Sequence, residues 1–200
     1  QRPVVNAVLA GDNVIGILAT GGGKSLTYQV PYMLSTGITI VVSPLIALID
    51  DQVNGLPAAL RESTVILSGD NGMLSKLISQ AVVNTGRCLI YTGPEKLSHF
   101  IRSQTLPAPV IRLVLDEAHC ASEWGNTFRD AYLLLPRLWE QLGKPQIQAM
   151  TATASESTLN DLMSMFPVSF TVLRSSIYRS NLFLTAIEHQ ATEHRDNHLQ

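Results

Sequence analysis

Val14-Ile15-Gly16-Ile17-Leu18-Ala19-Thr20-Gly21-Gly22-Gly23-Lys24-Ser25 is the stretch on which the fold turns. A mostly apolar run, long enough for one strand, enters a glycine-rich turn, and a helix-compatible stretch over residues 26–34 follows at once. A glycine-rich turn between strand and helix lets backbone N–H groups close around phosphate oxygens at the positive helix end. A lysine at its end neutralises the outer phosphates, and the following hydroxyl can coordinate Mg²⁺. Thr20, Gly21, Gly22, Gly23, Lys24 and Ser25 are therefore the predicted phosphate cradle. The strict pattern asks for glycine where Leu18 stands. The loop is thus a variant, Ala19-x-Gly21-x-Gly23-Lys24-Ser25, and a variant alone has a real rate of chance occurrence.

A second motif supplies what the first lacks. Asp116-Glu117-Ala118-His119 ends another apolar run, residues 111–115. Two carboxylates at the tip of a buried strand can divide the work, Asp116 holding the metal and Glu117 orienting a water. Lys24, Asp116 and Glu117 are the predicted catalytic groups, Ser25 and Asp116 the predicted Mg²⁺ ligands, and ATP the predicted nucleotide. Two such motifs, each at a strand end, together imply ATP hydrolysis.

Composition sets the frame. Two hundred residues suit one large α/β domain. A hydrophobic share of 46% against a charged share of 15% fits strands covered on both faces. A net charge of −2 gives no support for nucleic-acid binding from bulk charge, although a local groove can still be basic. Cys88 and Cys120 lie in apolar surroundings without metal-ligand spacing, which favours a reducing intracellular compartment. The longest apolar stretch, residues 38–49, is broken by Ser43-Pro44 and is too short to span a bilayer. No membrane association is expected.

Predicted strands at 14–19, 38–43, 64–67, 88–92, 111–117, 146–151 and 170–174 alternate with helical patterns at 26–34, 45–60, 73–84, 94–102, 129–142 and 155–165. Ser155 is a candidate N-cap. This alternation predicts an α/β fold with a doubly wound, mostly parallel sheet, helices on both faces and ligands at the carboxyl ends of the strands. Residues 1–187 form one domain in this reading, and the polar segment 188–200 is a tail or linker. His189, His194 and His198 in that tail lack the well-held set of four ligands that structural zinc needs, so a solvated tail is the preferred reading.

Further motifs give the chain a family likeness. Thr20 to Ser25 continues into Leu26-x-Tyr28-Gln29-x-Pro31, and Val41-Val42-Ser43-Pro44-Leu45-Ile46-Ala47-Leu48-Ile49-x-Asp51-Gln52-Val53 follows. Next come Tyr91-x-x-Pro94-Glu95-Lys96-Leu97, then Asp116-Glu117-Ala118-His119-Cys120-x-Ser122-x-Trp124-Gly125-x-x-Phe128-Arg129. Met150-Thr151-Ala152-Thr153-Ala154 and Tyr178-Arg179-x-Asn181-Leu182 complete the set. In these segments the chain resembles the first RecA-like motor lobe of the RecQ family of superfamily 2, ATP-dependent DNA helicases, which have a P-loop NTPase fold.

The resemblance implies a 3′-to-5′ helicase lobe in which Mg-ATP hydrolysis drives translocation on single-stranded DNA and unwinding of duplex DNA. It places Gln1 at the adenine-reading position. It assigns DNA binding or coupling to Ser43, Pro44, His119, Trp124, Phe128, Arg129, Thr151 and Thr153. Bland roles compete at each: a strand-to-helix turn at Ser43-Pro44, core aromatics at Trp124 and Phe128, strand formers at Thr151 and Thr153, a buried hydrogen bond at His119.

The chain also departs from the family. Ala19 replaces a frequent proline, Lys96 stands where arginine is common, Asn126 and Thr127 replace a usual His-Asp, and Ser180 replaces a proline. A second RecA-like lobe, which would supply an arginine to the transition state, has no room in the sequence, so the chain is expected to be a fragment that is weakly active or inactive alone. The expected location is nuclear if the source is eukaryotic and cytoplasmic if bacterial. Three alternatives stay open. A non-catalytic nucleic-acid-binding or ATP-switch module fits the drift at Asn126 and Thr127. A small-molecule phosphotransferase would need a lid that the sequence does not display, and an RNA helicase fits the segment 124–129 less well.

Overall fold

The computed structural model describes residues 1–44, 46–122, 129–175 and 185. Its strands are β1 (Val14–Ile17), β2 (Gly37–Val42), β3 (Thr64–Ile66), β4 (Arg87–Thr92), β5 (Val110–Leu115), β6 (Gln146–Thr151) and β7 (Thr171–Arg174). They form one sheet in the order β3-β4-β2-β5-β6-β1-β7, and every neighbouring pair runs parallel. The sheet is doubly wound as expected and parallel throughout.

The helices are α1 (Arg2–Leu9), α2 (Leu26–Met33), α3 (Ile46–Asn54), α4 (Ala58–Arg61), α5 (Asn71–Thr85), α6 (Pro94–Ser103), α7 (Arg129–Tyr132), α8 (Leu135–Gln141) and α9 (Glu156–Met165). Side chains alternate along each strand, so one strand feeds two cores. Ile38, Ile40 and Val42 of β2 join Leu113, Leu115, Ile147 and Ala149 under Ile78 of α5, Phe100 of α6, Leu138 of α8 and Leu162 of α9. Val41, Leu89, Tyr91 and Val114 point the other way and meet Tyr28 and Tyr32 of α2, Ile49 of α3 and Leu60 of α4. Val14, Leu18 and Met150 extend that second face beneath Val4 and Val8 of α1.

Two expected helices are each split. The stretch 45–60 breaks into α3 and α4 at Gly55 and Pro57, because proline lacks the N–H a continuing helix needs and Pro57 sits at ψ 146°. The stretch 129–142 restarts at α8, with Pro136 in its first turn, where a missing N–H costs nothing. Helix α1 went unforeseen, although Pro3 in its first turn and Val4 and Val8 four residues apart announce it. Ser155 caps α9 as expected, its side chain accepting from Thr158 N–H at 3.1 Å.

Strand β5 ends two residues earlier than predicted. Asp116 N–H still donates to Val42 O at 2.9 Å, but Glu117 takes the left-handed region at φ 46° and turns the chain into a 3₁₀ turn, Ala118–Ala121. A non-glycine residue there costs on the order of 1–3 kcal/mol and persists only where its surroundings hold it. The segment 188–200, the residues Trp124 and Phe128, and the motif 178–182 lie outside the described residues.

Candidate nucleotide and coupling site

The strand order builds the site. β1 delivers the glycine loop, β5 delivers Asp116 and Glu117, and β6 lies between them with Thr151 at its end. Strand neighbours are about 4.8 Å apart, so the two motifs start roughly 10 Å from each other. Lysine and glutamate side chains reaching from the two sides together close such a gap, and the Lys24 ammonium pairs with Glu117 Oε1.

The loop has the backbone its glycines predict. Gly21 and Gly23 sit at φ +74° and +73°, a region that side chains disfavour. Gly22 N–H donates to Ala19 O at 2.8 Å, and a Cβ on Gly22 would meet that same oxygen. Gln1 Nε2 donates to Gly22 O at 2.9 Å, so the predicted adenine reader touches the loop directly. Beside it a cleft of about 290 Å³ is lined by Gln1, Pro3, Val4, Leu18, Leu173 and Arg174. Thr20 and Gly21 are exposed, and Ser25 is half-buried at the head of α2.

At the carboxylate end, burial comes first in pushing the Asp116 carboxyl above its ordinary range, opposed by a hydrogen bond from Gln52 and reinforced by the charge of Glu117. Gln52 Nε2 donates to Asp116 Oδ2 at 3.1 Å, and Tyr132 OH donates to Asp116 O at 2.8 Å. Gln52 Oε1 is buried and has no partner among the described residues. A buried carboxylate whose amide neighbour keeps an unpartnered oxygen offers the hard oxygen donors that a hydrated divalent cation takes. Gln52, Tyr132 and Thr27 were not assigned from sequence. Gln52 lies inside a quoted motif and was legible there, whereas Tyr132 and Thr27 carried no local signal.

His119 lies between the two halves. Its Nδ1 is 3.0 Å from Thr151 Oγ1 and 3.4 Å from Glu117 Oε2. Thr151 Oγ1 donates to Thr153 O at 2.7 Å and accepts from Thr153 N–H at 3.2 Å. Its one proton is therefore committed, and His119 Nδ1–H must be the donor to it. Thr151 is buried and Thr153 exposed, so this chain of bonds runs from His119, which lies against Glu117, to the surface of the turn after β6.

The other expected coupling residues are placed less fully. Ser43 and Pro44 are buried at the end of β2, and Ser43 N–H is engaged by Thr92 O at 3.0 Å. That N–H is therefore spent within the sheet and is not available to a ligand. Arg129 begins α7. Lys96 of α6 donates to Gly69 O at 2.8 Å and to Asn71 Oδ1 at 2.9 Å, tying down the turn after β3. Cys88 and Cys120 are buried and not joined in a disulfide, and the described residues hold no cluster of three or more metal-ligating side chains. Among the described residues no helix is long and apolar enough to cross a membrane.

A parallel sheet carrying a glycine loop on one strand and an acidic pair two strands away is the architecture of helicase motor lobes. The Pyrococcus furiosus Hef helicase domain superposes on 86% of this chain and 37% of its own, with a TM-score of 0.63 at 17% identity. The chain belongs to the DEAD/DEAH box helicase family, whose model matches residues 1–162. It is 40% identical over 201 residues to ATP-dependent DNA helicase Q-like 2 of Arabidopsis thaliana, covering 96% of this chain and 28% of the relative. It is 38% identical over 169 residues to ATP-dependent DNA helicase RecQ of Haemophilus influenzae, covering 82% and 26%. The resemblance to RecQ helicases thus extends over most of the chain, and the chain spans a little over a quarter of the length of these relatives.

Proposed function

We propose that this chain is the ATP-binding lobe of a RecQ-like 3′-to-5′ DNA helicase, coupling Mg-ATP hydrolysis to translocation on single-stranded DNA and to duplex unwinding. The observation that carries this reading is the meeting of Lys24 and Glu117 across the end of β6. Lys24 is placed to exchange the Glu117 carboxylate for the outer phosphates of ATP. That exchange frees Glu117 to accept a hydrogen bond from the attacking water and orient it. Backbone N–H groups of the glycine loop hold the phosphates, and Gln1 reads the adenine from the adjoining cleft. Bound at Ser25 and Asp116, Mg²⁺ would neutralise charge on the phosphate oxygens.

His119, Thr151 and Thr153 then link the water-orienting carboxylate to the turn after β6, where a change in hydrogen bonding reaches the DNA side. Ser43 and Pro44 at one strand end, with Trp124, Phe128 and Arg129 after the acidic pair, form the DNA-coupling surface in this proposal. A second RecA-like lobe completes the cleft and supplies the transition-state arginine. The proposed setting is intracellular.

The test is steady-state ATP hydrolysis with and without single-stranded DNA, on protein of the length of its relatives. The expected result is strong stimulation by DNA, loss of turnover in Lys24→Ala, and retained ATP binding with lost stimulation in Trp124→Ala. ATP binding with no stimulated turnover would instead support a non-catalytic ATP-switch module, the reading favoured by Asn126 and Thr127. Stimulation untouched by Trp124→Ala would make that ring a packing residue.

A further inference from the structure

We infer that Gln148 is a positioning residue for the nucleotide loop, acting on the Lys24 backbone through Thr27. Gln148 is fully buried at the middle of β6, paired with Val14 on one side and Val114 on the other. An amide in the centre of a parallel sheet destabilises the fold unless its hydrogen bonds are satisfied. Gln148 Nε2 donates to Thr27 Oγ1 at 3.0 Å, and Thr27 Oγ1 donates to Lys24 O at 2.6 Å. Thr27 is itself fully buried. Its single hydroxyl proton goes to Lys24 O, so toward Gln148 it can only accept, and this fixes which end of the amide faces it.

The consequence is a two-bond brace from the sheet to the carbonyl of the phosphate-binding lysine. Lys24 O also accepts from Thr27 N–H at 3.0 Å, so both donors of one residue hold the loop's exit. The same strand carries Thr151, which contacts His119 at its far end. β6 therefore braces the lysine half and the carboxylate half of the site with two side chains three residues apart. Gln148 also has its amide nitrogen 3.6 Å from Met150 Sδ, a weak acceptor, so Thr27 is its one strong partner. Its Oε1 has no partner among the described residues, so stability alone is poorly served by a glutamine here.

This inference rests on the nucleotide reading of the loop, and the experiment separates the two. Binding of Mg-ADP to the chain is titrated calorimetrically for the wild type, Gln148→Met, Thr27→Val, Thr27→Ser and the Gln148→Met/Thr27→Val pair, with urea unfolding run in parallel. One lost hydrogen bond of this kind is worth about 1 kcal/mol, so a rise in Kd of roughly 3- to 10-fold is expected for Gln148→Met and for Thr27→Val. The double variant should bind no more weakly than either single one, because both break one chain of bonds. Thr27→Ser keeps the hydroxyl and should keep wild-type affinity.

Unchanged Kd in both single variants, with only the unfolding midpoint moved, overturns the positioning role while leaving the nucleotide reading intact. Fully additive losses overturn the link between Gln148 and Thr27. Failure of the wild type to bind Mg-ADP overturns the nucleotide reading and this inference together.

Discussion

Gly16 is where the packing of the sheet can be tested most sharply. It pairs with Met150 in register, and a Cβ added there would lie 2.6 Å from Met150 Cε and 2.8 Å from its Sδ. Carbon atoms in contact sit at about 3.5–4.0 Å, so the thioether would have to retreat by about 1 Å. It has little room, because Val4, Val8, Val14 and Leu18 enclose it. Overpacking of this kind costs about 1–3 kcal/mol, offset by about 0.4–1 kcal/mol from stiffening the unfolded chain. Gly16→Ala should therefore lose about 1–2 kcal/mol in urea unfolding, a fall in Tm of roughly 3–6 °C. The partner variant Met150→Ala opens a cavity and should cost about 2–5 kcal/mol by itself. Combined, the two substitutions complement one another, and their joint cost should be at least about 1 kcal/mol less than the sum. Additivity within about 0.5 kcal/mol, or a neutral Gly16→Ala, would refute the account of why this position is glycine.

Asp116→Asn should abolish Mg-dependent hydrolysis and raise the unfolding free energy by about 0.5–2 kcal/mol, read from the shift of the urea midpoint. Burial raises the folded carboxyl above its ordinary 3.8, so its favourable contribution exists at low pH and is lost as pH climbs through the raised value. The Asn variant's advantage should accordingly be full at neutral pH and vanish below the ordinary carboxylate range, and a midpoint difference independent of pH would contradict this. Arg112 is a second buried charge, its guanidinium pushed down to about 10 by desolvation, with Nη1 lacking a partner among the described residues. Desolvation of a guanidinium that stays charged in both states makes this burial a cost to the fold. Arg112→Met removes that cost but leaves Gln146 Oε1, which accepts from Arg112 Nε at 2.9 Å, without its donor. The two effects are similar in size, so a net change within about 1.5 kcal/mol is expected in urea unfolding, and a loss above about 3 kcal/mol would show that Arg112 is compensated.

The seven strands and the two motif-bearing turns were legible because buried parallel strands leave unbroken β-branched runs, and because phosphate loops constrain glycine and lysine locally. Boundaries at Glu117 and Gly55 were less legible. The first depends on a backbone excursion that a non-glycine residue tolerates only in its folded surroundings, and the second on which of several turn residues ends a helix. The candidate site divides in the same way. Lys24, Ser25, Asp116 and Glu117 lie in contiguous motifs, and reasoning along the chain reaches them. Thr27, Gln148 and Tyr132 act through partners 16 to 121 residues away, and only the register of the strands brings them together. Gln52 stands between these cases: its motif was visible, but its partner Asp116, 64 positions on, was not.

The strand order has one more consequence. Lys24, Thr151 and Glu117 hang from β1, β6 and β5, three consecutive members of a hydrogen-bonded ladder whose spacing no side chain can alter. The floor of the site is in that sense a fixed ruler. Any working stroke has to be taken up by what projects above it: the loop through residues 20–25, the left-handed corner at Glu117, and the turn after Thr151. Substitutions that only disturb packing in the ruler, such as Gly16→Ala, should change how often the protein is folded, and substitutions in the turns, or in strand residues bonded to them, should change what it does once folded.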